Sequence, residues 1–318
     1  MTTGEAIPHN NGLTRRALLA GVLGNALLLP LAAGCTESEP NYESQFSDEP
    51  DWEQDFTGQP DGRLNTTEWN IRLGNNNGWG NRQRQTYTAN TRNVRVEHGA
   101  LILEAHREHG PNTPTYTAAR IDTQGKQSFS YGKLEVVSKL PKGTGTWPAF
   151  WMLSDDQKYD PTSYGIDDHA KGAWVFNGEI DIMEAVGSRP GIIYPALHTY
   201  DSTSRNVILQ PRPQINSPDD TRAFHTYGVE RTPDTISFTY DGKPYYSVNK
   251  TSLVPDGQES KAPLYWPFDQ KYYLIANIAI GGTWGGEDDA NYPPHGIDDS
   301  AAPWQLQVAS IRHYPLND

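Results

Sequence analysis

Cysteine is nearly absent, with Cys35 alone in 318 residues. A disulfide framework within the chain is therefore impossible. Positive charge is also scarce: 26 Lys+Arg stand against 39 Asp+Glu, a formal charge of −13. That balance argues against nucleic acid or an anionic membrane surface as the main partner. A mean hydropathy of −0.70 excludes a multi-span membrane protein. No long, capped helix is legible either. Glycine (29) and proline (24) are plentiful, which points to many turns and short strands. So are aromatics, with 9 Trp, 17 Tyr and 8 Phe; in a hydrophilic chain such rings form a core or a stacking surface.

The start of the chain does not read as a fold. Arg15-Arg16 precedes an apolar stretch from Ala17 to Ala33, which closes on Leu31-Ala32-Ala33-Gly34-Cys35. An apolar run followed by small residues marks an export signal, and the arginine pair reads as a twin-arginine address. The closing residues resemble the lipobox of bacterial lipoproteins, whose Cys is acylated and becomes the first mature residue. The run lies at the short end of the roughly 17–25 residues that span a bilayer, so Cys35 is expected to be a lipidation site rather than the edge of a transmembrane anchor. Residues 1–34 are thus expected to be the signal. Residues 35–50, polar and acidic, are too poor in apolar surface to fold and read as a tether. Residues 51–318 read as one domain without internal repeats. The expected location is outside the cytoplasm, lipid-anchored to the cell envelope and facing periplasm or exterior, with the membrane touched only through that lipid.

The domain reads as all-β. Val94–Glu97, Leu101–Ala105 and Ile236–Tyr240 are short alternating or β-rich runs. Asp241-Gly242 between Ile236–Tyr240 and Tyr245–Val248 is a hairpin signal. Tyr272–Ile280 is longer and more apolar, as expected of a strand covered on both faces. Many short strands suggest a sandwich of two sheets.

The most informative segment is Gly178-Glu179-Ile180-Asp181-Ile182-Met183-Glu184. On a strand, Glu179 and Asp181 share a face while Ile180 and Ile182 point into the core. Strict alternation would bury Glu184. A β-bulge near Met183 resets the phase and brings all three carboxylates to one surface. Three acids so spaced repel each other, which raises at least one pKa and keeps one acid protonated beside an ionised neighbour. Glycoside hydrolysis needs that asymmetry. A solvated acidic face is the bland alternative. A metal site is the weaker functional one, because no His or further acid stands at ligand spacing within the segment.

At this point the chain resembles the laminarinase-like members of glycoside hydrolase family 16. The resemblance rests on ordered segments: Gly78–Thr88 with its Gly78-Trp79-Gly80-Asn81 loop, Tyr116–Ile121, Tyr131–Glu135, Leu140–Leu153 containing Trp147-Pro148-Ala149-Phe150-Trp151, the acidic strand, Phe224–Tyr227, Trp266–Gln270 and Asn277–Trp284. It implies a β-jelly-roll sandwich of two antiparallel sheets with a cleft on its concave face. It also implies endo-hydrolysis of β-glucan with retention, most simply of 1,3-β-glucan, by a monomer. By carry-over, Glu179 is the nucleophile, Glu184 the general acid/base, and Asp181 sets their protonation. Agarose, carrageenan or mixed-linkage glucan as substrate, transglycosylation, and a non-catalytic glucan-binding role are the alternatives. Loss of either Glu would favour the last, and both are present.

Trp147 and Trp151 stand four apart and share a strand face, so both can present flat rings to sugars. Trp284, after Gly281-Gly282, is a further platform. Trp79 divides evenly between core and cleft wall, and Trp52, Trp69 and Trp304 read as core. Asn81 and Arg120 match positions that hydrogen-bond sugar hydroxyls in such enzymes; for Arg120 a salt bridge to a sheet carboxylate is the competing reading. His198, on the strand after the acidic one, reads either as a neighbour of the acid/base on the leaving-group side or as a structural hydrogen-bonder. His106 and His109 read as loop-borne and solvated. Three departures stand out: Gln83 where many relatives have Glu, Glu230-Arg231 where many have Glu-Trp, and Ala309 or Ser310 where many have the Asp of a calcium site. The resemblance implies no required cofactor; a structural calcium stays an open alternative, weakened by the loss of that Asp. Acidic loops such as Gly286–Asp289 and Asp298-Asp299 read as solvated.

Overall fold

The computed structural model describes residues 45–108, 115–166, 174–200, 207–208, 223–285 and 296–317. The export signal, Cys35, His109 and the loop at Gly286–Asp289 lie outside them. Among the described residues, two sheets face each other. The larger contains β1 (Trp52–Asp55), β3 (Gln85–Tyr87), β4 (Val94–Glu97), β5 (Ala100–Glu108), β6 (Thr115–Ala118), β8 (Gly132–Lys139), β13 (His225–Arg231), β14 (Thr235–Tyr240), β15 (Lys243–Asn249) and β17 (Trp304–Pro315). The smaller contains β2 (Asn70–Ile71), β7 (Arg120–Asp122), β9 (Thr146–Ser154), β10 (Glu179–Glu184), β11 (Tyr194–Thr199), β12 (Val207–Ile208) and β16 (Tyr272–Ile280), in the order β12-β11-β10-β9-β16-β7-β2. This is the expected jelly-roll sandwich. One pair departs from the antiparallel rule, because β3 runs parallel to β6.

Alternation builds the core. Along β8, every second residue from Gly132 is buried; Leu134 and Val136 join Phe150, Met152, Ile180 and Leu274 of the facing sheet in one apolar cluster. All nine residues of β16 are buried, since one face meets this core and the other lies beneath the cleft. The hairpin forms where Asp241-Gly242 predicts it. Both turn residues have positive φ, 49° and 72°, the backbone a two-residue turn of primed type requires.

Two expectations change. The tether reading ends too late: Phe46 is buried and bridges Leu316, and the Ser47 amide donates to the Pro315 carbonyl. Phe46 and these backbone bonds together dock the segment onto the end of β17. His106 lies on β5 rather than a loop, with Nε2 2.9 Å from Glu104 Oε1 and 3.1 Å from the Arg92 carbonyl. As expected, Trp69 and Trp304 are buried, and Trp52 packs against the same core.

Candidate active site

The acids sit mid-sheet on β10, between β9 and β11. Asp181 pairs with Trp151 of β9 and Met183 with Phe150, so Ile182 has no counterpart there. On the other side Asp181 pairs with Ala196 and Glu184 with Tyr194, again one residue in excess. The bulge therefore falls at Ile182–Met183. Both of those side chains enter the core, and Glu184 returns to the face that carries Glu179 and Asp181.

Around the acids lies a cleft of about 970 Å³, near the upper end of the roughly 300–1,000 Å³ usual for ligand pockets. The three acids line it together with Asn81, Arg120, Trp147, Trp151, His198 and Trp284. Every residue assigned to the site from sequence is thus brought to one surface.

Each half of the cleft is locally fixed. Trp147 Nε1 donates to Glu184 Oε1 at 2.8 Å, and the Trp147 ring meets Trp284 edge-on at 5.2 Å. Trp151 Nε1 donates to Asn277 Oδ1 at 2.8 Å. The Arg120 guanidinium lies between two indoles, 4.6 Å from the Trp79 ring and 4.8 Å from the Trp151 ring. This places Trp79 on the cleft wall, and Arg120 takes cation–π contacts where a salt bridge was the alternative. The loop carrying Trp79 and Asn81 is pinned to the loop before Trp284: the Thr283 amide donates to the Asn81 carbonyl at 2.8 Å. Gly282 permits this approach. Its φ is +85°, and a Cβ there would stand 2.6 Å from that carbonyl oxygen.

His198 lies among the acids, but not against Glu184 as expected. The antiparallel register sets it opposite Glu179, with Nε2 3.7 Å from Glu179 Oε1 and 3.0 Å from Asp181 Oδ2. It therefore attends the nucleophile candidate and the central acid rather than Glu184. The contact to Asp181 Oδ2 lacks hydrogen-bond alignment, and that oxygen has no other partner.

Burial raises the pKa of all three acids. Glu179 is held well above the ordinary carboxylate range by desolvation and then by the neighbouring Asp181; His198 and Arg120 pull it down less strongly, and Glu184 adds a smaller push up. Desolvation pushes Asp181 up to about 8, opposed by its hydrogen bond with Glu179. Glu184 also rises to about 8, through desolvation and Asp181, while the Trp147 hydrogen bond and His198 pull it down. The cluster therefore titrates as a unit and retains protons at neutral pH.

Glu179, Asp181 and His198 present ligand atoms within 4.8 Å of one another, so His198 supplies across the strands the metal-ligand type missing from the segment itself. An ion there would occupy the catalytic carboxylates. A calcium site at Ala309-Ser310 does not fit the residues present. The Ala309 carbonyl accepts from the Phe56 amide, and Ser310 Oγ accepts from Arg312 Nη1 at 3.1 Å. Asp299, by contrast with the solvated reading, accepts from Arg107 Nε at 2.6 Å and from the Tyr116 hydroxyl at 2.9 Å.

Of the cleft residues not assigned from sequence, two bear on its geometry. Asn277 orients Trp151, and its signal was a lone polar residue within apolar β16. Trp174 also lines the cleft; it sits on a one-turn helix that has no periodicity to read.

A β-sandwich with paired carboxylates on the floor of an aromatic-lined cleft defines a glycosidase of polysaccharide type. The comparisons agree. The model of glycosyl hydrolases family 16 matches residues 81–295, and the chain belongs to that family. It is 38% identical over 299 residues to a beta-glucanase of Rhodothermus marinus, covering 91% of this chain and 93% of the relative. A glucan endo-1,3-beta-glucosidase of Cryptopygus antarcticus is 36% identical over 226 residues, 69% of this chain and 77% of the relative. The crystal structure of the Rhodothermus marinus laminarinase superposes with a TM-score of 0.70 at 36% identity, covering 85% of this chain and 98% of that one. The protein is a glycoside hydrolase.

Proposed function

We propose that the protein is an endo-acting, retaining hydrolase of 1,3-β-glucan, monomeric, exported, and held at the cell envelope by a lipid on Cys35. The observation that carries the catalytic reading is the bulge at Ile182–Met183, which sets three carboxylates on one face of the cleft. The family's pattern makes Glu179 the nucleophile and Glu184 the acid/base. The Arg120 guanidinium favours charge on Glu179 and has no counterpart at Glu184, while burial and Asp181 hold both acids above the ordinary carboxylate range. In the first step Glu184 gives its proton to the glycosidic oxygen while the Glu179 carboxylate attacks the anomeric carbon. The C–O bond breaks and a glycosyl ester forms on Glu179. In the second step Glu184, now ionised, takes a proton from water, which displaces Glu179 from the same anomeric carbon and restores the starting configuration. Asp181, between the two, shifts protons by its charge.

The substrate reading draws on the names of the relatives, a beta-glucanase and a glucan endo-1,3-beta-glucosidase. Cleft charge supports a neutral glucan over a sulfated galactan: among the described lining residues Arg120 is the sole Lys or Arg, against three acids. Digestion of laminarin, lichenan, agarose and carrageenan, with product sizes read out, tests it. Laminarin is expected to fall to short oligosaccharides, and Glu179→Gln to release none while keeping the wild-type circular dichroism spectrum. Activity on agarose alone, or full activity of the variant, would overturn the reading.

A further inference from the structure

On the cleft floor, β10 and β11 bring together polar atoms that the protein itself leaves unsatisfied. Asp181 is 3% exposed, and among the described residues its Oδ2 has no hydrogen-bond partner. That oxygen stands 3.0 Å from His198 Nε2. The other imidazole nitrogen, Nδ1, is buried and also lacks a partner among the described residues. Buried polar atoms left in this state cost stability. The register makes the arrangement a fixed one, since His198 lies opposite Glu179, two residues before Asp181 on the same strand face.

The donors name the chemistry that would satisfy them. Glu179, Asp181 and His198 offer two carboxylate oxygens and an imidazole nitrogen within 4.8 Å of one another. Nε2 lies 3.0 Å from Asp181 Oδ2 and 3.7 Å from Glu179 Oε1. A tetrahedral ion with bonds of about 2.0–2.1 Å, the length of zinc to nitrogen and oxygen, holds its ligands roughly 3.3 Å apart. The two separations bracket that edge. Calcium takes about six to eight oxygens, and magnesium an octahedron of them; two carboxylates and an imidazole suit neither. Imidazole selects zinc and copper. All three residues line the cleft, so an ion reaches them from solvent without crossing the core.

The same geometry makes the ion a visitor. A histidine that holds a resident metal donates from its far nitrogen to a carboxylate or carbonyl, which fixes the ring. His198 Nδ1 has no such acceptor among the described residues, and the Trp174 ring meets the imidazole edge-on at 5.8 Å. Packing alone orients the ligand, which favours exchange over permanent retention. An ion on Glu179 also takes the oxygen that attacks the anomeric carbon, so ion and glucan exclude each other.

We propose that Glu179, Asp181 and His198 form a reversible site for zinc or copper, whose occupancy blocks the substrate and switches the enzyme off. The site stands independently of the glucanase reading above; its competition with glucan rests on that reading. The test titrates the protein with zinc chloride by calorimetry, beside calcium and magnesium chloride, for the wild type, His198→Gln and Glu179→Gln, with circular dichroism as the folding control. Wild type is expected to bind zinc at least tenfold more tightly than calcium or magnesium, and each variant to lose tenfold or more of the zinc affinity. On laminarin, zinc is expected to raise KM and leave kcat unchanged, with full recovery on adding a chelator. Selectivity and competition are read on the wild type and need no variant to fold. Zinc affinity unaltered in the folded variants, calcium or magnesium binding as tightly as zinc, or a fall in kcat at constant KM would overturn the proposal. Wild type inert on laminarin without added metal would instead overturn the glucanase reading, and the calorimetry would still decide the metal site.

Discussion

The Trp147–Glu184 hydrogen bond makes the protonation of the acid/base directly testable through Trp147→Phe. The replacement keeps an aromatic ring beside Trp284 but removes the donor that lies 2.8 Å from Glu184 Oε1. A hydrogen bond to a charged group contributes about 1.5–3 kcal/mol. It favours the carboxylate over the neutral acid, and the neutral acid still accepts in part, so roughly half of that difference separates the two forms. At about 1.36 kcal/mol per pKa unit, the Glu184 pKa should rise by about one unit from its already elevated position near 8. Cleavage requires protonated Glu184, so the alkaline limb of kcat/KM against pH should move upward by about one unit. Formation of the base needed in the second step becomes harder, so kcat near neutrality should fall and glycosyl-enzyme accumulate. Stopped assays on laminarin across the pH range, with circular dichroism as the folding control, read both effects. A folded variant whose alkaline limb stays fixed, or moves to lower pH, would refute the reasoning.

Gly282→Ala places a Cβ 2.6 Å from the Asn81 carbonyl at a φ of +85°. Residues forced into such backbone regions cost about 1–3 kcal/mol, so Tm should fall by several degrees and KM for laminarin should rise as the Trp79–Asn81 loop shifts; unchanged Tm and KM would contradict the assigned close approach. Cys35→Ser should move the protein, expressed in a bacterial host, from the detergent phase to the aqueous phase, and retention in the detergent phase would remove the lipid from the proposal.

Local and phase-dependent features were legible in the sequence. Asp241-Gly242 specifies its turn through the backbone of two adjacent residues. The bulge at Ile182–Met183 was legible because only an extra residue lets Glu179, Asp181 and Glu184 share a face while the intervening apolar side chains stay buried. Features set by pairing between distant segments were less so. The position of His198 depends on the register of β11 against β10, and a shift of that register would have set it beside Glu184 instead. The parallel pairing of β3 and β6 has no signature in either short strand. Phe46 looked isolated because its partner, Leu316, is 270 residues away in the chain. Asn277 could have been found as the polar interruption of an apolar strand. Trp174 could not, since one helical turn is too short for a face to be read from spacing.

The Phe46–Leu316 bridge also has a mechanical consequence. Where the chain enters the sandwich and where it leaves are side by side, at the end of β17, in the sheet that does not bear the acids. Tension applied from either direction is received at one corner and resisted by the β1–β17–β8 ladder, leaving the substrate-binding sheet outside the load path. The same adjacency makes the domain nearly a closed ring. New ends could be opened at an exposed turn such as Asp241-Gly242 and the old ones joined by a short linker, as domains with neighbouring termini generally permit.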